Sequence, residues 1–388
     1  MIESVAIGKG TLMNTPKSYF AFTLFFMLSV LVISCSTEEV MPDTEAENEM
    51  TDTSGENNEN TDDPDDSDSS EEPEAPSTLT LEDGFTIDEA YQFTNLILSE
   101  SEYNKFLVDE GDMRMVTNKV YEYFNDDFDF IIILNVEDSQ PNNLYYGLST
   151  PAQNDIEGLG RDIWDNTAAF GSSGKLKTVI HMPRAEYIRN GPFLHEIQHY
   201  WTNHGIIPTA AGGHWGYSNV GGQLGGFEEI EDLGNGRYRG SVGGEVGFGT
   251  VANGGNSVPY ANLELYAMGL IGPDELESVI VAENPASTGE FGVFTADALT
   301  TYTASNIIAE HGDRVPSYGN AQTEFKALVV VLSTGAVPQD TWDTLNSNLE
   351  NFAKQGNPAS SWGNLYNFWT ATGGRASFSF EIVGGNIK

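Results

Sequence analysis

Apolar positions along the chain fall into blocks of different period. The first block, Tyr19 to Ile33, is almost unbroken (Phe20, Phe22, Leu24, Phe25, Phe26, Leu28, Leu31, Val32). At about 15 residues it is short for a membrane-spanning helix. From Ser36 to about residue 84 apolar positions nearly vanish, and from Phe85 the pattern becomes that of a globular domain. Ile87–Leu98 and Met113–Phe124 carry apolar residues at helical spacing. Phe128–Val136 (FDFIIILNV) is a continuous apolar run of strand length, which predicts a strand buried on both faces. Asn142–Ser149 and the alternating Leu176–Met182 read as further strands, the latter ended by Pro183. Gly191-Pro192 then opens a predicted helix from Phe193 to about Asn203, with Gly205 as its stop. Residues 205–260 are dense in Gly, which predicts turns and short strands. Helices are expected at Ala261–Leu270 and Gln339–Lys354, and a strand at Ala376–Val383. Phe325–Leu332 fits either a strand or a buried helix. Strands and helices intermixed in this way make residues 85–388 one α+β domain.

Charge sharpens the boundaries. The 388-residue chain has a formal net charge of −41, and Ser36 to Asp83 holds 19 acidic residues with no Lys or Arg. Such a stretch cannot bury enough apolar area to offset its ordering entropy, so residues 35–84 read as a solvated tether. A phosphate backbone needs a basic surface, so nucleic acid is not an expected partner. The apolar block preceding the tether ends in Val32-Ile33-Ser34-Cys35, the chain's single cysteine. This resembles a bacterial lipoprotein signal, in which a small residue precedes the Cys that is lipidated. Residues 1–34 are then a signal peptide, for which Met13 makes a tidier start than Met1 because Met13–Lys17 is a compact basic n-region. The resemblance implies a membrane attachment through lipid at Cys35 and an outer-membrane location. The following Ser36-Thr37-Glu38-Glu39 resembles an acidic tag for cell-surface export. One cysteine allows no intrachain disulfide.

The chemistry concentrates at His195-Glu196-Ile197-Gln198-His199. Four residues apart on a helix, His195 and His199 lie about 40° from each other around the axis, so both rings can reach one metal ion. Glu196 lies about 100° from His195, placed to take a proton from a metal-activated water. This is the division of labour of the HExxH motif, with zinc as the cofactor and a protein or peptide as substrate. With only six His in the chain, a chance match is rare.

A third protein ligand is needed, and several residues compete. His204 follows His195 by nine residues, half a turn off its face, and can turn back only if the helix breaks at Asn203. A metzincin pattern would put Gly and His where Thr202 and Gly205 stand. His214, in Gly212-Gly213-His214-Trp215-Gly216, suits a ligand, an oxyanion donor or a packed surface residue. Glu264 is an acid in an otherwise apolar predicted helix (Leu263, Leu265, Met268, Leu270), costly there unless paired or bound to metal. It is the expected ligand, with His214 in a catalytic role. Elsewhere, His181 falls on a strand expected beside the cleft, and Glu228, Glu229, Glu231 and Asp232 form an acidic run, in most such cases a solvated face but also compatible with calcium.

The stretches HEIQHYW (195–201), GHWGYSN (213–219), QLGG (223–226), GNGRY (234–238) and YANLELYAMGLI (260–271) together resemble a group of secreted bacterial proteins of zinc-peptidase type. The resemblance covers about residues 190–272. It implies a zincin-like domain with a gluzincin-like ligand set, His195, His199 and Glu264. It also places Tyr266 near the metal as a candidate oxyanion donor and Met268 as an apolar floor, although residues of both kinds are more often plain core packing. Two rival functions stand beside it: a surface binding protein with a structural or inactive metal site, and a zinc hydrolase of non-peptide amides. The intact Glu196 counts against the first, since a structural site has no use for it.

Overall fold

The computed structural model describes residues 33–34, 78–80, 84–88, 92–202, 205–242, 245–246 and 249–388. The expected signal peptide, apart from Ile33–Ser34, and Cys35 with most of the acidic stretch lie outside the described residues, as do Asn203 and His204. No helix among the described residues is long and apolar enough to cross a membrane.

The domain is mixed α+β, built on a nine-stranded mixed sheet. Its order is Ile33–Ser34, Leu148–Pro151, Thr178–Met182, Phe130–Leu134, Glu324–Ser333, Phe93–Ile97, Phe85–Asp88 and Thr78–Thr80, with Ser377–Ser379 also pairing with Glu324–Ser333. Phe130–Leu134 runs parallel to both of its neighbours and is buried on both faces, as its unbroken apolar sequence predicts. Alternation then divides the core in two. Phe130, Ile132 and Leu134 face the side that holds Phe193, Leu194 and Ile197 of the HExxH helix. Ile131 and Ile133 face Val116 and Val120 of the helix Met113–Tyr123, which is capped by the Asp112 carboxylate.

Several expectations change. Ile87–Leu98 is not a helix: it contributes to two strands, Phe85–Asp88 and Phe93–Ile97. Pairing with the sheet overrides its helical spacing, and the Asn95 amide locks it by donating to the Val331 carbonyl at 2.9 Å and Ser333 Oγ at 3.0 Å. Thr78–Thr80, within the expected tether, pairs antiparallel with Phe85–Asp88, and Gly84 before that strand has a φ of +85°. Phe325–Leu332 is a strand, within Glu324–Ser333. Of the acidic run, Glu229–Gly234 is a strand in a smaller sheet, where Glu231 pairs with Arg239 at 3.1 Å and Asp232 caps the turn at Gly234.

Thr178–Met182 is not a cleft-edge strand. It lies between Leu148–Pro151 and Phe130–Leu134, so His181 is an interior residue. Its Nε2–H donates to Asn135 Oδ1 at 2.6 Å, and its Nδ1 accepts from the Tyr145 hydroxyl at 2.8 Å. Burial lowers its pKa from 6.5 to about 3. A depressed histidine pKa stabilises the fold fully above about pH 6.5, and that contribution is lost as pH falls toward 3. The urea midpoint is therefore expected to fall between pH 7 and pH 4, less steeply in His181→Gln. Equal slopes for the two proteins would contradict this role.

Candidate metal centre

The helix Phe193–Gln198 is short, and neighbouring chain holds both of its ends. Pro192 occupies the N-cap position, and the Leu194 N–H, left without an intrahelical acceptor, donates to Asn256 Oδ1 at 3.0 Å. The same Asn256 amide donates to the carbonyls of Ile188 and Arg189, stitching the preceding helix to this one. The Tyr260 hydroxyl takes up the Leu194 carbonyl at 2.9 Å. Tyr200 and Trp201 pack against Phe130 on the underside, as expected for residues anchoring the helix to the sheet. His199 keeps helical dihedrals at the C-cap, so the His195 and His199 rings remain on one face.

His195, His199 and His214 are all buried and converge. One nitrogen from each lies within 4.8 Å of the others, and the Nε2 atoms of His195 and His199 are 3.1 Å apart. Tetrahedral zinc with bonds of about 2.0–2.1 Å sets its nitrogens about 3.3 Å apart, so the pair is already at chelating distance. Tautomers are set by carbonyls, which can only accept. His195 Nδ1–H donates to the Gln223 carbonyl at 2.7 Å, and His214 Nδ1–H to the Gly212 carbonyl at 2.7 Å. In these tautomers Nε2 of His195 and of His214 is the accepting nitrogen, the arrangement usual for metal-ligating histidine. Burial, and then the neighbouring His214, lowers the His195 pKa from 6.5 to about 3, so the ring is neutral and able to ligate at neutral pH. The three histidines could hold a metal ion.

Glu196 is fully buried, and neither of its carboxylate oxygens has a hydrogen-bond partner. Burial raises its pKa from 4.5 to about 8. The group lies against Gly147, at the start of the strand Leu148–Pro151. A Cβ on Gly147 would come within 2.4 Å of Oε1. A buried carboxyl with no partner costs stability that apolar packing would not.

The remaining expected site residues lie differently from expectation. Glu264 is not in the histidine cluster. Its Oε1 accepts from Trp215 Nε1 and the Leu224 N–H, both at 2.9 Å, and its Oε2 from the Gln223 N–H at 3.0 Å and the Ala261 N–H at 2.8 Å. Four N–H donors satisfy the acid that its apolar helix made costly. Burial raises its pKa and these bonds pull it back. His214, and not Glu264, completes the group of three that could hold a metal ion. Tyr266 is a buried core residue whose charged neighbours are Arg314 and Asp313, not the histidines, and Met268 is likewise core. His311 ends the helix Ala304–His311, half-buried. Asn256, Gly147 and the Gln223 carbonyl went unread in the sequence, because nothing local marks them; only the density of Gly and Asn in 205–260 signals a loop that returns to the helix.

No protein-family model, curated protein or solved structure matches this chain.

Proposed function

We propose that this chain is a zinc-dependent peptidase with a zincin-like domain, and that His195, His199 and His214 hold the metal through Nε2. The observation that carries the reading is the partnerless, buried carboxyl of Glu196 on the same helix as two of three buried, converging imidazoles, of which His195 and His214 are oriented by backbone carbonyls. Three protein ligands on a divalent ion leave a position open, as in catalytic rather than structural zinc sites. A zinc ion there would lower the pKa of a water to about 7 and polarise a substrate carbonyl.

The chain's own groups supply the remainder. Glu196 takes the proton of the attacking water on a carboxylate oxygen and returns it to the departing amine. The acid fits this cycle because burial already favours its protonated form, while a dication alongside favours the carboxylate. Gly147 leaves room for the carboxylate at the head of Leu148–Pro151. That strand can take an extended backbone on its outer side, since Ile33–Ser34 pairs antiparallel with Ser149 and Leu148 there. A polypeptide lying along this edge would bring a carbonyl beside Glu196. Lipid at Cys35 and the acidic stretch after it would hold the domain off the membrane at the cell surface.

The full chain, loaded with zinc, should cleave casein or members of a peptide library, read by mass spectrometry. Dialysis against a chelator should abolish cleavage, and one equivalent of zinc should restore it. Stoichiometric zinc with no cleavage of any peptide would sink the peptidase reading.

A further inference from the structure

We infer that Glu264 is a positioning residue: its carboxylate ties the loops that carry the second-sphere contacts of two of the three histidines, and so pre-forms the metal centre. This rests on the metal-site reading above. Oε2 and Oε1 receive the consecutive N–H groups of Gln223 and Leu224, which fixes that peptide's orientation. The carbonyl of the same Gln223 accepts from His195 Nδ1 and sets which nitrogen His195 presents. Oε1 also receives the indole N–H of Trp215, the residue after His214. The backbone of that segment is held further by the Thr209 hydroxyl, which donates to the His214 carbonyl at 2.7 Å. One buried carboxylate thus reaches His195 through one peptide unit and His214 through its neighbour.

The packing around Glu264 is built for this. A Cβ on Gly222 would come within 2.3 Å of Oε2, so glycine alone lets the loop close onto the acid. The Ala261 N–H, third residue before Glu264, fixes the carboxylate from its own helix. The Gln223 side-chain amide is itself tied to the carbonyls of Gly255 and Val258, so the loop is held from both sides. Outer partners of ligating histidines typically change metal affinity by about 10–100-fold when removed.

The test is zinc affinity, measured by competition with a chromophoric chelator, together with the absorption spectrum of the cobalt-loaded protein. Glu264→Gln keeps the shape but turns an NH2 group toward two N–H donors. It should stay folded by circular dichroism, keep one metal per chain, bind zinc about 10–100-fold more weakly and show a shifted cobalt spectrum. Trp215→Phe removes a single bond to Oε1 and should weaken zinc about tenfold or less, which covers the case where Glu264→Gln does not fold. Unchanged affinity in the folded variant would overturn the role. So would loss of the metal as complete as in His214→Ala, which would make Glu264 a ligand. A wild-type chain that takes up neither metal would instead bring down the underlying metal-site reading.

Discussion

Glu196→Gln is expected to lower peptide cleavage by about 10²–10⁴-fold, the contribution typical of a general base, while zinc stays at one per chain. Glutamine matches the shape that Gly147 accommodates, so packing is retained. Its amide cannot accept the water's proton. The side chain is buried with no partner for either oxygen, so no existing hydrogen bond is broken by the change. The loss therefore reports the proton-transfer step and not the fold. Cleavage by Glu196→Gln at the wild-type rate would remove Glu196 from the mechanism.

His214→Ala is the second large expectation. Zinc sites with four protein ligands bind with about 10–16 kcal/mol, so each ligand carries on the order of 10²–10³-fold in affinity or more. Removing His214 should leave a protein that loses zinc to a chelator which the wild type resists, with cleavage lost in parallel. The fold should survive, since His214 sits in a loop and its Nδ1 bond stays within that loop, to Gly212. Full zinc retention in His214→Ala would contradict the three-imidazole centre.

The comparison of sequence with structure divides along a physical line. The helical face shared by His195 and His199 was legible because its geometry is local: four residues at 100° each decide it. Phe130–Leu134 was legible because burial on both faces leaves an unbroken apolar run. His214 arrives from a loop 15 residues after His199, held by Thr209 and Trp215, and no periodicity encodes that return. Glu264 shows the limit most clearly. The premise was sound, since a buried acid needs compensation, but the sequence cannot say whether a metal or four N–H groups provide it. Ile87–Leu98 failed for a related reason, because Phe93–Ile97 within it pairs with Val329–Ser333, more than 200 residues away. Thr178–Met182 alternates as an edge strand should, yet strands arriving from both directions cover it.

X-ray diffraction from zinc-loaded crystals at wavelengths on either side of the zinc edge tests the central assignment most directly. One anomalous peak is expected about 2.0–2.1 Å from Nε2 of each of His195, His199 and His214, with Glu264 still bonded to Trp215, Gln223, Leu224 and Ala261. A peak ligated by Glu264, or none within reach of the three imidazoles, would contradict it.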